Sequence, residues 1–245
     1  MLSSYAMTDI GRTRVVNQDY VFSCLEPIGN LPNLFIVADG MGGHQAGDFA
    51  SSYSVKKFLE SVSLSLQKNP HKIFADAIRY ANRELIEKSK ENPELKGMGT
   101  TMVALTIVGD KAYVANVGDS RLYLMEDVLT QITIDHSLVQ EMIKIGELTK
   151  ESARLHPDKN IITRAVGAGK DINADYFEFS ITKDSILLMC SDGLSNMVED
   201  EQIAVLLKSA KTPEKVGKKL IETANHNGGK DNIAVIVICS NTGEV

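Results

Sequence analysis

Three short runs of this chain are apolar at every position: Leu34-Phe35-Ile36-Val37-Ala38, Ile186-Leu187-Leu188-Met189-Cys190 and Ile233 to Cys239. A strand with one face in water alternates apolar and polar residues, so an unbroken apolar run of this length reads as a strand covered on both faces. Whatever this chain folds into must therefore bring a layer to each side of its sheets. Thr101 to Val108 and Lys111 to Val117 are further strand candidates. Only Gly109-Asp110 separates them, a two-residue link typical of a hairpin, so at least part of the sheet is antiparallel.

The covering layers are legible as helices. Phe74, Ala77, Ile78, Ala81 and Leu85 recur at helical spacing, and Asn69-Pro70 offers a capping side chain followed by proline in the first turn. Thr212-Pro213 opens a second helix in the same way, with Val216, Leu220, Ile221 and Ala224 on its inner face. Leu138, Met142, Ile145 and Leu148 suggest a third. Buried strands with amphipathic helices imply an α+β fold with antiparallel sheets. No repeat, linker or low-complexity tract divides the chain, so residues 1–245 read as one domain. The more polar stretch from about His136 to Asn160, which carries His136 and His156, reads as a surface flap.

Aspartates recur beside these strands. Asp39 follows Leu34–Ala38, Asp119 follows Lys111–Val117 and Asp192 follows Ile186–Cys190, while Asp19 precedes Tyr20-Val21-Phe22 and Asp231 precedes Ile233–Cys239. In an antiparallel sheet the end of one strand lies beside the start of the next, so such residues can share one rim. Carboxylates crowded together repel, and cations would relieve them. An oxygen-rich set with no Cys/His ligand group nearby favours Mg2+ or Mn2+ over Zn2+. Asp39-Gly40 and Asp192-Gly193 read as tight strand exits where backbone comes close to another group. A single Asp-Gly is an ordinary turn; the argument rests on the set.

With these motifs in this order, the chain resembles the metal-dependent protein serine/threonine phosphatases of the PPM (PP2C-like) family, in their short bacterial form. The matching blocks run from Thr8 to Ser240. They are Arg14 with Asn17-Gln18-Asp19, Val37 to His44, Gly99-Thr100-Thr101, Ala115 to Arg121, Ile134 to Ser137, Thr163 to Gly167, Ser191 to Leu194, and Lys230-Asp231-Asn232. The resemblance implies a four-layer α-β-β-α sandwich of two antiparallel sheets flanked by helices, with a flap at about 136–160. It implies two Mn2+ or Mg2+ ions per subunit, and a third in bacterial relatives. Asp39 would bridge two ions, Asp192 and Asp231 would complete the first site, and the Gly40 carbonyl with Asp19 the second. Asp119 with Asp192 matches the third. Arg14 matches the arginine that clamps the substrate phosphate. The leaving alkoxide would take its proton from metal-bound water or from His44, which is displaced from the histidine that directly follows Asp-Gly in eukaryotic relatives, where Met41 stands here. The implied reaction is hydrolysis of phosphoserine and phosphothreonine by a metal-activated water, opposing a bacterial Ser/Thr kinase. The implied partners are phosphorylated proteins, including that kinase and its substrates. The alternative is a catalytically inactive domain of the same family that binds or senses.

Other classes find no support. Cysteine-based phosphatase chemistry needs Cys-x5-Arg, but the residues six after Cys24 and Cys190 are Asn30 and Asn196. No Walker loop, Gly-x-Ser-x-Gly or His-Glu-x-x-His occurs. A net charge of −6 without a Lys/Arg-rich run argues against nucleic acid. The N-terminus lacks the charge and hydropathy pattern of a signal peptide, and no apolar run approaches the roughly 18 residues of a membrane span. Cys24, Cys190 and Cys239 each stand in or beside an apolar stretch and read as buried free thiols in a reducing cytosol. A monomer is expected.

Overall fold

The computed structural model describes residues 2–42, 46–209 and 212–240. In chain order the strands are β1 (Leu2–Asp9), β2 (Asp19–Cys24), β3 (Leu34–Met41), β4 (Gly99–Thr100), β5 (Met102–Val108), β6 (Lys111–Val117), β7 (Arg121–Met125), β8 (Leu129–Gln131), β9 (Asp175–Ser180), β10 (Ile186–Cys190) and β11 (Ile233–Ser240). The helices are α1 (Ala46–Leu64), α2 (Pro70–Glu91), α3 (Leu138–Lys144), α4 (Lys150–Arg154), α5 (Asp192–Ser195), α6 (Asp200–Lys208) and α7 (Pro213–His226).

The strands form two antiparallel sheets. One has the order β1-β11-β10-β7-β8; the other runs β2-β3-β5-β6-β9, with β4 paired to β3. Their inner faces meet in a core that includes Phe35, Val37, Leu105, Leu122, Met189 and Ile236. Helices α1 and α2 cover the second sheet, with Phe58 and Phe74 in contact at 5.8 Å between ring centroids. Helices α5, α6 and α7 cover the first around Leu194, Leu207, Leu220 and Val237. This is a four-layer α-β-β-α sandwich. The unbroken apolar runs are explained: alternate residues of each go to the inter-sheet core and to a helix-covered core. Val235 and Val237 of β11 face helices, while Ala234, Ile236 and Ile238 face the other sheet.

The anticipated helix starts are present. Asn69 accepts from the Lys72 N–H with Pro70 in the first turn, and Thr212 accepts from the Lys215 N–H ahead of Pro213. Helix α1 has no such apolar signature. Its inner face is Ala46, Gly47, Ala50, Ser51, Ser54, Val55, Phe58 and Val62, at helical spacing but built largely from small and polar residues. Two expectations need correction. The third expected helix is present as α3 but ends at Lys144, so Ile145 and Leu148 fall beyond it; Ile145 is 68% exposed and only Val139 of α3 is buried. Cys24 is only half-buried, whereas Cys190 and Cys239 are buried; all three are free thiols.

Between β8 and β9 the chain leaves the sheets as α3 and α4 and returns through a narrow neck. There the Leu138 N–H donates to the Ile161 carbonyl and the Thr163 N–H to the His136 carbonyl. His136 is more than a flap residue. It is buried, its Nδ1 accepts from the Gly118 N–H at 3.1 Å, and its Nε2 lies 3.1 Å from Asp175 Oδ2. No described helix is long and apolar enough to cross a membrane.

Candidate metal centre

Antiparallel pairing assembles the site. Strand β2 starts where β3 ends, and their register sets Asp19 directly opposite Asp39. Strand β10 ends where β11 starts, which brings Asp192, the first residue of α5, beside Asp231. Asp119 lies in the short link by which the chain crosses from β6 in one sheet to β7 in the other. All five carboxylates therefore meet at one end of the sandwich. Like charges directly opposite in an antiparallel pair are destabilising, so the Asp19–Asp39 pairing is not explained by stability.

Arg14, Asp39, Gly40, Asp119, Asp192 and Asp231 line one cavity of about 270 Å3, together with Asn160 and Ile162 from the segment that follows α4. Asp19 does not line it; this residue is buried behind Asp39. His44 lies outside the described residues. The expectation that Asp39-Gly40 is a strand exit is corrected: β3 continues through both to Met41. The close approach is real. A Cβ on Gly40 would lie 1.9 Å from the Gly47 carbonyl oxygen, and one on Gly193 would lie 1.8 Å from that of Asn232.

Electrostatics push Asp19, Asp39, Asp119 and Asp192 toward protonation. Burial pushes Asp19 up to about 8, with Asp192 and Asp231 adding to it and a hydrogen bond from Ser191 opposing it. Burial also raises Asp39 well above the usual carboxylate range, reinforced by Asp19, Asp192, Asp119 and Asp231. Asp119 and Asp192 move the same way for the same first cause. Asp39 and Asp192 sit deep in the fold but are not sealed, since part of each surface opens on the cavity. Asp19 Oδ1 and Asp192 Oδ1 are buried without a hydrogen-bond partner. Buried polar atoms are nearly always satisfied, and a carboxylate oxygen left without a donor fits a cation. The donors are hard oxygens throughout, which suits Mg2+ or Mn2+. Among the described residues no three acidic, His or Cys side chains are already drawn together as a closed cation cage. The carboxylates surround the cavity.

Arg14 stands at the cavity mouth, its side chain 51% exposed, and donates through Nη2 to Asp231 Oδ2 at 2.8 Å. Several residues that hold the site were not assigned roles from sequence. The Thr101 N–H and Thr100 Oγ1 both donate to the Asp39 carbonyl, and the Asp39 N–H donates to Thr101 Oγ1, so the Gly99-Thr100-Thr101 block fixes the Asp39 backbone. Asn232 accepts from the Gln18 N–H and donates to the Ile10 and Val16 carbonyls, tying down the loop that carries Arg14. Asn196 Nδ2 donates to Asp192 Oδ2 at 2.9 Å. For Asn232 and Asn196 the only sequence signal is adjacency to Asp231 and Asp192; for Thr100 and Thr101 it is membership of the Gly99-Thr100-Thr101 block, which carries no aspartate.

Comparison with known proteins places the chain in a family. The family model for protein phosphatase 2C matches residues 11–234. The serine/threonine phosphatase stp of Listeria monocytogenes is 41% identical over 236 residues, covering 94% of this chain and 93% of the relative. Protein phosphatase PhpP of Streptococcus pneumoniae is 36% identical over 239 residues, covering 96% of each. The catalytic domain of serine/threonine phosphatase PstP, solved in complex with two manganese ions, superposes with a TM-score of 0.86 at 32% identity, covering 97% of both chains. The chain belongs to the protein phosphatase 2C family and is a phosphoprotein phosphatase.

Proposed function

We propose that this chain hydrolyses phosphoserine and phosphothreonine in proteins at a centre of two Mn2+ or Mg2+ ions, and that it opposes a bacterial Ser/Thr kinase in the cytoplasm. The observation that carries the reading is the convergence of Asp19, Asp39, Asp192 and Asp231, with Asp19 and Asp39 in direct register and two carboxylate oxygens lacking any partner. Asp39 would be shared by both ions, Asp192 and Asp231 would serve one, and Asp19 with the Gly40 carbonyl the other. Asp119 with Asp192 would serve a third. When bound, such ions supply an activated water and neutralise phosphoryl charge.

The protein's own part is to bind and orient. The Arg14 guanidinium presents a planar fork suited to phosphate oxygens, and its pairing with Asp231 holds it at the cavity mouth. The Thr100 and Thr101 hydrogen bonds keep Asp39 in place without help from substrate. His44 is proposed as the proton donor to the leaving serine or threonine oxygen. Three free thiols are in keeping with a reducing compartment. An inactive binding module has no use for four mutually repelling carboxylates, so that alternative draws no support from the site. The test is hydrolysis of a phosphothreonine peptide before and after EDTA, with Mn2+ then restored. Activity should vanish and return; unchanged turnover in excess chelator overturns the metal-dependent reading.

A further inference from the structure

Ser191 has no part in the chemistry above, yet its side chain joins the two sheets at the acidic rim. It follows β10 of the first sheet and is fully buried. Its Oγ donates to Asp19 Oδ2 of the second sheet at 2.6 Å and accepts from the Ala234 N–H of β11 at 2.9 Å. Its own N–H donates to the Ala234 carbonyl. A hydroxyl has a single proton. With the oxygen occupied by the Ala234 N–H, that proton is directed at Asp19. The Asp19 N–H is fixed separately by Asn17 Oδ1. One carboxylate oxygen of Asp19 is thus anchored and the other, Oδ1, is left buried and unpaired beside its register partner Asp39.

We propose that Ser191 is a positioning residue for the metal centre: it locks the Asp19 carboxylate across the sandwich so that Oδ1 alone is offered to a cation or to its bound water. Two features favour this over a merely structural hydroxyl. Ser191 is adjacent to Asp192 and, through Ala234, spans to the strand that follows Asp231, so one side chain references three acidic positions to each other. A fold-stabilising bond would also have no need of a buried acceptor whose second oxygen is left without a donor. Groups that orient metal ligands through hydrogen bonds commonly change metal affinity by about 10-fold to 100-fold when removed.

The inference rests on the metal reading of the preceding section, and its test separates the two. Mn2+ binding is measured by calorimetry on unaltered protein, Ser191→Ala, Ser191→Thr, Asp19→Asn and the double variant, with circular dichroism as a check on folding. Ser191→Ala should weaken the tighter-measured Mn2+ association about 10-fold, and Ser191→Thr, which keeps the hydroxyl, should recover to within about 3-fold. The double variant should bind no worse than Asp19→Asn, because the serine acts through that carboxylate. Should Ser191→Ala fail to fold, Ser191→Cys takes its place, its weaker donor giving the same direction of change. Unaltered affinity in the folded Ala or Cys variant overturns the positioning role while leaving the metal reading intact. A further loss in the double variant beyond Asp19→Asn overturns the route through Asp19. No Mn2+ binding by the unaltered protein overturns both readings together.

Discussion

Replacing Asp39 by asparagine should stabilise the metal-free protein while destroying its activity. Side chains directly opposed in an antiparallel pair lie about 5 Å apart, and at an effective dielectric of about 20 two full charges at that distance repel by about 3 kcal/mol. Partial protonation relieves some of this at neutral pH, so the expected gain is about 1–3 kcal/mol. For a chain of this size that is roughly 3–10 °C in Tm. The pH dependence fixes the sign. Asp19 and Asp39 have folded-state values raised above the unfolded value of 3.8. Their contribution is therefore most favourable below about 4 and is lost as pH rises through the folded values, about 8 for Asp19. Asparagine behaves as a permanently protonated Asp39, so its advantage should be smallest below about pH 4 and grow as pH rises. Mn2+ at a hundred times its Kd should stabilise the unaltered protein by about 2.7 kcal/mol for each site, and Asp39→Asn should forfeit most of that. The assay is thermal unfolding followed by circular dichroism, with EDTA or with Mn2+, across pH 5–9. A lower metal-free Tm for Asp39→Asn at pH 8, or an undiminished rise with Mn2+, would refute the reasoning.

Arg14→Ala should raise KM for a phosphopeptide about 10-fold with a smaller change in kcat; steady-state kinetics showing an unaltered KM would remove the phosphate-clamp role. Gly193→Ala would drive a Cβ to 1.8 Å from the Asn232 carbonyl oxygen and lever Asp192 away from Asp231. Denaturant titration should show a loss of about 1–3 kcal/mol, and turnover should fall at least about 10-fold. Arg121 donates through Nε and Nη2 to Asp135 and through Nη1 to the buried Tyr123 hydroxyl. Arg121→Met leaves the Asp135 carboxylate with Gln131 alone, at a cost of about 3–5 kcal/mol that Arg121→Met/Asp135→Leu should largely recover.

How far the sequence revealed this architecture depended on how each element is stabilised. Helices α2 and α7 were legible because their inner faces are aliphatic and their first turns carry a capping side chain and proline. Helix α1 was not, because it packs tightly on β3 near Gly40 and must present Gly47, Ala50, Ser51 and Ser54 there in place of large apolar residues. Strand β1 was missed for a different reason. All its residues are half-buried, so neither unbroken apolarity nor clean alternation marks it; it exists through its eight-residue register with β11. The spacing of Leu138 and Met142 located α3 but not its exposure, because apolar residues at helical spacing can face solvent when the segment is held by its neck.

The sequence by itself determined the inventory: buried strands, their covering helices, and aspartates placed at strand ends, since burial and turn chemistry act over a few neighbouring residues. Only the tertiary structure decided which ends meet. Register is a relation between strands far apart in the chain, and it set Asp19 against Asp39, brought Ser191 of one sheet to Asp19 of the other, and gave Arg14 to Asp231. Side-chain hydrogen bonds of this kind join groups as many as 222 positions apart, and no local pattern of residue types encodes them.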